Sequence, residues 1–112
     1  MTSPVPLVID TDPGIDDALA ILLALASTEV DLRLVTTVSG NVDLAQATEN
    51  ALRVLHLAGR SDVPVAAGAA ESLIHPQPER AGHVHGTAGL GGVTLPPSPV
   101  AADPRPAVVA LA

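Results

Sequence analysis

Four aspartates, Asp10, Asp12, Asp16 and Asp17, fall within eight positions of Leu-Val-Ile-Asp-Thr-Asp-Pro-Gly-Ile-Asp-Asp, residues 7–17. That much like charge in a short span repels itself. It is tolerated where water screens it, or where a cation or a helix N-terminus absorbs it. A solvated acidic turn is the plain reading of such a segment. Here the apolar residues Val8 and Ile9 read as a buried strand, so Asp10 and Asp12 emerge at its end rather than in an open loop. Carboxylates in a chain without cysteine form a hard-cation donor set, suited to Ca²⁺ or Mg²⁺ rather than zinc. An EF-hand loop does not fit. It needs Asp or Asn fifth, Gly sixth and an acid twelfth, and counting from Asp10 these are Gly14, Ile15 and Ile21.

The elements that must position these groups follow from periodicity. Leu7–Ile9, running into Asp10, is a short β-branched apolar run and predicts a strand buried on both faces. Pro13 and Gly14 break it. Ala18, Leu19, Leu22, Leu23 and Ala26 recur at three- and four-residue steps and predict a helix over 16–26. Asp16 and Asp17 then occupy its first turn, where the macrodipole favours negative charge; that role explains one aspartate well and two less well. Residues 31–38 read as a second strand ending at Ser39-Gly40-Asn41. Asp43 reads as an N-cap with Gln46 as its capping-box partner, Leu44, Ala47, Ala51, Leu52 and Leu55 as an apolar stripe, and Gly59 as a stop. Residues 63–67 form a third short strand.

The order β-α-β-α-β, with helices too long for hairpins, predicts an α/β fold with an open, mostly parallel sheet and right-handed crossovers. In such sheets ligands bind outside the carboxyl ends of the strands. The first strand offers Asp10, Asp12, Asp16 and Asp17 there, and the second offers Ser39 and Asn41; if the strands are neighbours the two sets converge. Residues 71–99 lose all periodicity and are rich in Pro, Gly and His, and a helix begins near Pro104. Three strands and two helices, with a further helix just begun, read as the opening part of a larger α/β domain.

Composition bounds the partners. With 47% hydrophobic residues and no Phe, Trp or Tyr, the core is built of small side chains. A net charge of −7 disfavours nucleic-acid backbones and anionic membranes, and is compatible with a cation site. No basic segment followed by an apolar run opens the chain, and acidic residues interrupt the apolar stretches. Neither a signal peptide nor a transmembrane span is expected, and a cytoplasmic location is the default.

Three motifs carry a family resemblance. Asp10-Thr11-Asp12-Pro13-Gly14-Ile15-Asp16-Asp17-Ala18, then Val35-Thr36-Thr37-Val38-Ser39-Gly40-Asn41, then His85-Gly86-Thr87-Ala88-Gly89-Leu90-Gly91 resemble, in order, the inosine–uridine-preferring nucleoside hydrolase family. The resemblance covers nearly all of this chain but only about the first third of a typical member, so 1–112 reads as the N-terminal part of a single domain with a Rossmann-related sheet. It implies hydrolysis of the N-glycosidic bond of ribonucleosides such as inosine or uridine, within nucleoside salvage and catabolism, with bound Ca²⁺ as cofactor. It also implies a homo-oligomer, dimer or tetramer, at full length.

By the same resemblance Asp12 is a Ca²⁺ ligand and the general base on the attacking water, and Asp17 is a second carboxylate ligand. Asp16 holds the ribose hydroxyls, Asn41 lies near ribose and metal, His85 stands at the pocket rim, and Asp10 orients the loop. The chain offers about three protein ligands against the roughly six to eight oxygens that Ca²⁺ takes, so it reads as an incomplete enzyme. Two alternatives accompany this reading. One is a non-catalytic truncated remnant that binds a cation or a partner. The other is a haloacid-dehalogenase-type Mg²⁺ phosphohydrolase, for which Asp10 and Asp12 have the spacing but lack the Gly-Thr that usually follows.

Overall fold

The computed structural model describes residues 3–40, 42–68 and 95–112. Three parallel strands, β1 (Val5–Thr11), β2 (Val30–Thr37) and β3 (Val65–Ala67), form a sheet in sequential order. The crossovers are α1 (Ile15–Ala26) and α2 (Leu44–Leu57), and a single turn, α3 (Ala107–Ala110), follows. The expected parallel α/β order is thus present. The third strand is shorter than the sequence suggests, starting at Val65 rather than Val63. The expected loop over 71–99 lies mostly outside the described residues.

The main core sits on one face of the sheet, between β2, β3 and both long helices. Ile21 from α1, Leu32 and Val35 from β2, Leu52, Val54 and Leu55 from α2, and Val65 from β3 are all buried together. Burying each large aliphatic side chain contributes roughly 1.5–3 kcal/mol, so α2, which supplies three of them, anchors the face. Leu34, Ala66 and Ala107 form a smaller cluster on the other side.

β1 departs from the expectation of burial on both faces. Val5 is 62% and Val8 44% exposed, while Leu7 and Ile9 pack against the core. The reason is geometric. β1 is an edge strand of the described sheet, and α1 packs over β2 and α2 instead of over β1. Val8 faces the same side as its register partner Leu34, where α3 covers only the β3 end.

The β1–β2 register carries one irregularity. Leu7 pairs with Leu32 but Val8 pairs with Leu34, so Arg33 is an extra residue in β2. Such a bulge re-aims the side chains beyond it. Downstream of it Asp10 stands opposite Thr36 and Thr11 opposite Thr37.

The helix ends follow sequence chemistry closely. Asp43 caps α2, its Oδ1 accepting the Gln46 N–H at 2.8 Å. The Gln46 side chain does not return to complete a capping box; it donates to Asn50 instead. At the far end Gly59 takes φ +72°, with Gly59 N–H bonded to His56 O and Arg60 N–H to Leu55 O. That is the Schellman closure, which needs a left-handed residue at this position. Among the described residues no helix is long and apolar enough to cross a membrane.

Beyond β3, the Asp103 N–H bonds Val65 O at 2.7 Å and the Asp103 carboxylate pairs with Arg105 at 2.8 Å. The Arg105 hydrogen bond holds the Asp103 carboxyl down at about 2.

Two outcomes follow for the frame. Asp43→Ala should lower stability by about 1 kcal/mol through loss of the cap, read as a lower urea midpoint with an unchanged slope. The Asp103–Arg105 contact, with a depressed folded-state value, favours folding above the ordinary carboxyl value of 3.8 and is lost as pH falls towards 2. Arg105→Gln should raise the Asp103 titration, followed by carboxyl NMR, from about 2 towards 3.8, short of it because the backbone N–H of residue 105 still donates to the carboxylate.

Candidate active site

β1 ends at Thr11, and the loop Asp12-Pro13-Gly14 turns directly into α1. Pro13 has no N–H to leave unpaired, and Gly14 caps the helix by backbone alone, without a side-chain hydrogen bond. Both are buried. Asp16 and Asp17 fall in the first turn of α1, as the periodicity predicts.

Asp12 and Asp17 come together. Burial pushes the Asp17 carboxyl up; the Thr11 hydroxyl pulls it back; a hydrogen bond and the charge of Asp12 push it up further, and the Gly14 N–H pulls it down. The net direction is upward. A like charge beside half-buried Asp17 favours its protonation or a cation nearby. Thr11 is itself buried, and among the described residues its hydroxyl reaches no partner with full hydrogen-bond geometry. A buried hydroxyl oxygen and two carboxylates that gain from positive charge suit a hard divalent cation by donor type. They are part of a shell only: among the described residues no three Asp, Glu or His side chains converge as a ligand set.

The other expected residues divide. Asp10 is exposed and accepts a 2.7 Å hydrogen bond from Thr36 Oγ1, the residue opposite it in register. Thr11, its neighbour along the strand, points to the opposite face, so Asp10 is held apart from the Asp12–Asp17 pair and supports the β1–β2 junction. Asp16 is exposed on the first turn of α1. Asn41 and His85 lie outside the described residues. Gly40, next to Asn41, stands directly against the Asp12 side chain, so the carboxyl-end loops of β1 and β2 do meet.

Three positioning residues escaped the sequence reading. Asn50 is buried in α2; its Nδ2 donates to Pro13 O at 3.2 Å and its Oδ1 accepts from Gln46 Nε2 at 2.8 Å. One amide thus ties the second helix to the aspartate loop. Thr36, fully buried, holds Asp10. Thr48 donates to Leu44 O at 2.8 Å, so in its 2.8 Å contact with Thr37 the latter is the donor, and the end of β2 is pinned to α2. Asn50 had a readable signal, since it interrupts the apolar stripe of α2 between Ala47 and Val54. The threonines had none, because strand propensity accounts for them equally well.

Asn50→Ala should destabilise the fold by roughly 1–3 kcal/mol, because the Pro13 carbonyl and the Gln46 amide are left without their buried partner. Chemical denaturation measures the loss. A stability equal to that of the unmodified protein would show that the loop does not depend on α2.

Comparison with known proteins agrees with this geometry. Residues 7–112 match the family model described as inosine-uridine preferring nucleoside hydrolase. The chain is 53% identical over 91 residues to uridine nucleosidase 1 of Arabidopsis thaliana, covering 81% of this chain and 27% of that protein. It is 49% identical over 92 residues to the non-specific ribonucleoside hydrolase RihC of Salmonella paratyphi A, covering 82% and 30%. Among solved structures, the purine-preferring ribonucleoside hydrolase from Gardnerella vaginalis superposes with a TM-score of 0.89 at 36% identity, over 95% of this chain and 34% of that one. The chain therefore spans about a third or less of the relatives it matches. The family match removes the haloacid-dehalogenase alternative. With three strands, two crossovers and the aspartate loop all in the family's arrangement, the chain belongs to the inosine–uridine preferring nucleoside hydrolases.

Proposed function

We propose that the protein carrying this chain hydrolyses the N-glycosidic bond of ribonucleosides, and that residues 1–112 form the N-terminal part of its single catalytic domain. The observation that carries the reading is the Asp12–Asp17 pair at the carboxyl end of β1. Family membership and relatives named as a uridine nucleosidase and as ribonucleoside hydrolases support it.

In this reading Asp12 and Asp17 hold a Ca²⁺ ion, which when bound gathers the attacking water and the ribose hydroxyls in one place. Asp12 takes a proton from that water as its oxygen bonds to C1′. The C1′–N bond breaks, and its electron pair leaves with the base. The ribosyl centre passes through an oxocarbenium-like state, as in glycoside hydrolysis generally. A carboxylate base is needed because water as such is a poor nucleophile at neutral pH. Asp16, exposed at the start of α1, is the proposed contact to the ribose hydroxyls. Asn41 and His85 complete the proposed set, as a ribose contact and a group at the pocket rim. Asp10 acts through the loop, by way of Thr36.

In the full-length context Asp12→Ala should lower turnover of inosine or uridine by roughly a hundred- to ten-thousand-fold, the range for loss of a general base. The melting temperature should stay near that of the unmodified protein. Unchanged turnover would sink the assignment of Asp12. Asp17→Ala should weaken Ca²⁺ binding, measured by calorimetry. The described residues supply two carboxylates and a hydroxyl towards the roughly six to eight oxygens that Ca²⁺ takes, so the 112-residue chain alone is expected to release negligible base. Robust release from it would show that a cation-binding remnant is the wrong description and that the site is complete.

A further inference from the structure

Gly40 follows β2 and stands in the loop that meets the aspartate loop. A methyl group built on its Cα falls inside the Asp12 carboxylate, in contact with Oδ2, at 2.7 Å from Cγ and 2.9 Å from Cβ. Carbon atoms that are not bonded to each other do not approach that closely, so the Asp12 side chain fills the volume that any other residue at position 40 would claim. The backbone does not require glycine here, since Gly59 has the one positive-φ glycine conformation among the described residues. The Gly40 N–H is bonded to Val42 O at 3.0 Å.

We infer that Gly40 is a positioning residue for Asp12: the missing side chain at position 40 is what lets the Asp12 carboxylate lie beside Asp17. This rests on the proposed role of Asp12 for its functional consequence, but not for its geometry. Two of the three closest atoms, Oδ2 and Cγ, are the end of a side chain that turns about χ1, and the third is the Asp12 Cβ. A methyl at position 40 is therefore accommodated by swinging the carboxylate away together with a small retreat of the loop, and the carboxylate moves furthest. A glycine whose role is only to permit a turn would show the opposite pattern.

The test is Gly40→Ala in the purified full-length protein, with Asp12→Ala and the double variant beside it. Gly40→Ala should weaken Ca²⁺ binding by roughly 10- to 100-fold, the usual cost of disturbing a residue that orients a ligand. In the Asp12→Ala background, where the carboxylate is gone and only Cβ remains to crowd position 40, the same change should cost much less Ca²⁺ affinity than it does in the unmodified protein. Unchanged Ca²⁺ affinity in Gly40→Ala, or a loss that adds fully to that of Asp12→Ala, overturns the inference. If Asp12→Ala itself binds Ca²⁺ normally, the proposed function fails while the packing is judged by a crystal structure of Gly40→Ala: a carboxylate moved off its position supports it, and one left in place overturns it. Should Gly40→Ala not fold, Asp12→Gly is combined with it, since this removes every crowded atom. Recovery of the folded state supports the packing, and continued unfolding overturns it.

Discussion

Two carboxylates brought together in a half-buried loop repel each other, and the rest of this structure is arranged to hold them there. At 4 Å two unit charges cost about 4 kcal/mol at an effective dielectric constant near 20. A loop free to move would relieve that by separating Asp12 from Asp17. Here it cannot. Asp17 is fixed in the first turn of α1, and Asp12 sits two residues before the buried Gly14 that caps the same helix. The Pro13 carbonyl between them is held by Asn50 from α2, and Gly40 backs the Asp12 side chain from the end of β2. The opposing helps are small: the first turn of α1 favours negative charge by roughly 0.3–1 kcal/mol, and the Thr11 hydroxyl favours ionised Asp17. What remains of the repulsion is the driving force for taking up positive charge.

Stored electrostatic cost of this kind needs a rigid support, and the parallel sheet provides it. The β1–β2 register, set by the bulge at Arg33, places Asp10 against Thr36 and brings the two carboxyl-end loops to one edge. Slipping the register by one residue would turn Asp10 inward and Thr11 outward, since strand side chains alternate. The apolar pattern opposes such a slip, because Leu7 and Ile9 pack on the core while Val8 faces away. The burial that selects the fold thereby also selects which aspartates reach the site.

The aspartates proposed to do the chemistry were easy to read, and the residues that hold them were not. Asp12 and Asp17 announce themselves as charges where charge is costly, and periodicity alone gives α1, β2 and α2 nearly to the residue. The Asp43 cap and the Gly59 stop are local chemistry and appear as expected. The burial of β1 was overstated because an apolar run cannot report whether a neighbouring strand or helix is there to cover it; Val8 is exposed for that reason. Gln46 reads equally well as a capping-box partner and as a donor to Asn50, since both lie within its reach on α2; only the packed structure decides. Contacts such as Asn50 to Pro13 span 37 residues, and no local pattern encodes them.

The supporting residues share a feature that explains why they escape notice: Thr36, Thr37, Thr48, Asn50 and Gly40 carry no charge. A charged support would add its own field to the pair and alter what the pair can bind. A hydroxyl or an amide fixes position through one directed hydrogen bond and leaves the net charge of the site to the aspartates. Burial then raises the cost of breaking that bond, because a buried polar group left unpaired loses about 1–3 kcal/mol. Thr36 and Asn50 are both essentially solvent-free, so their bonds to Asp10 and to the Pro13 carbonyl act as stiff positional restraints. Gly40 works by the complementary means of offering no atoms at all. Precision at a site of like charges is in this way delegated to neutral side chains and to one absent one.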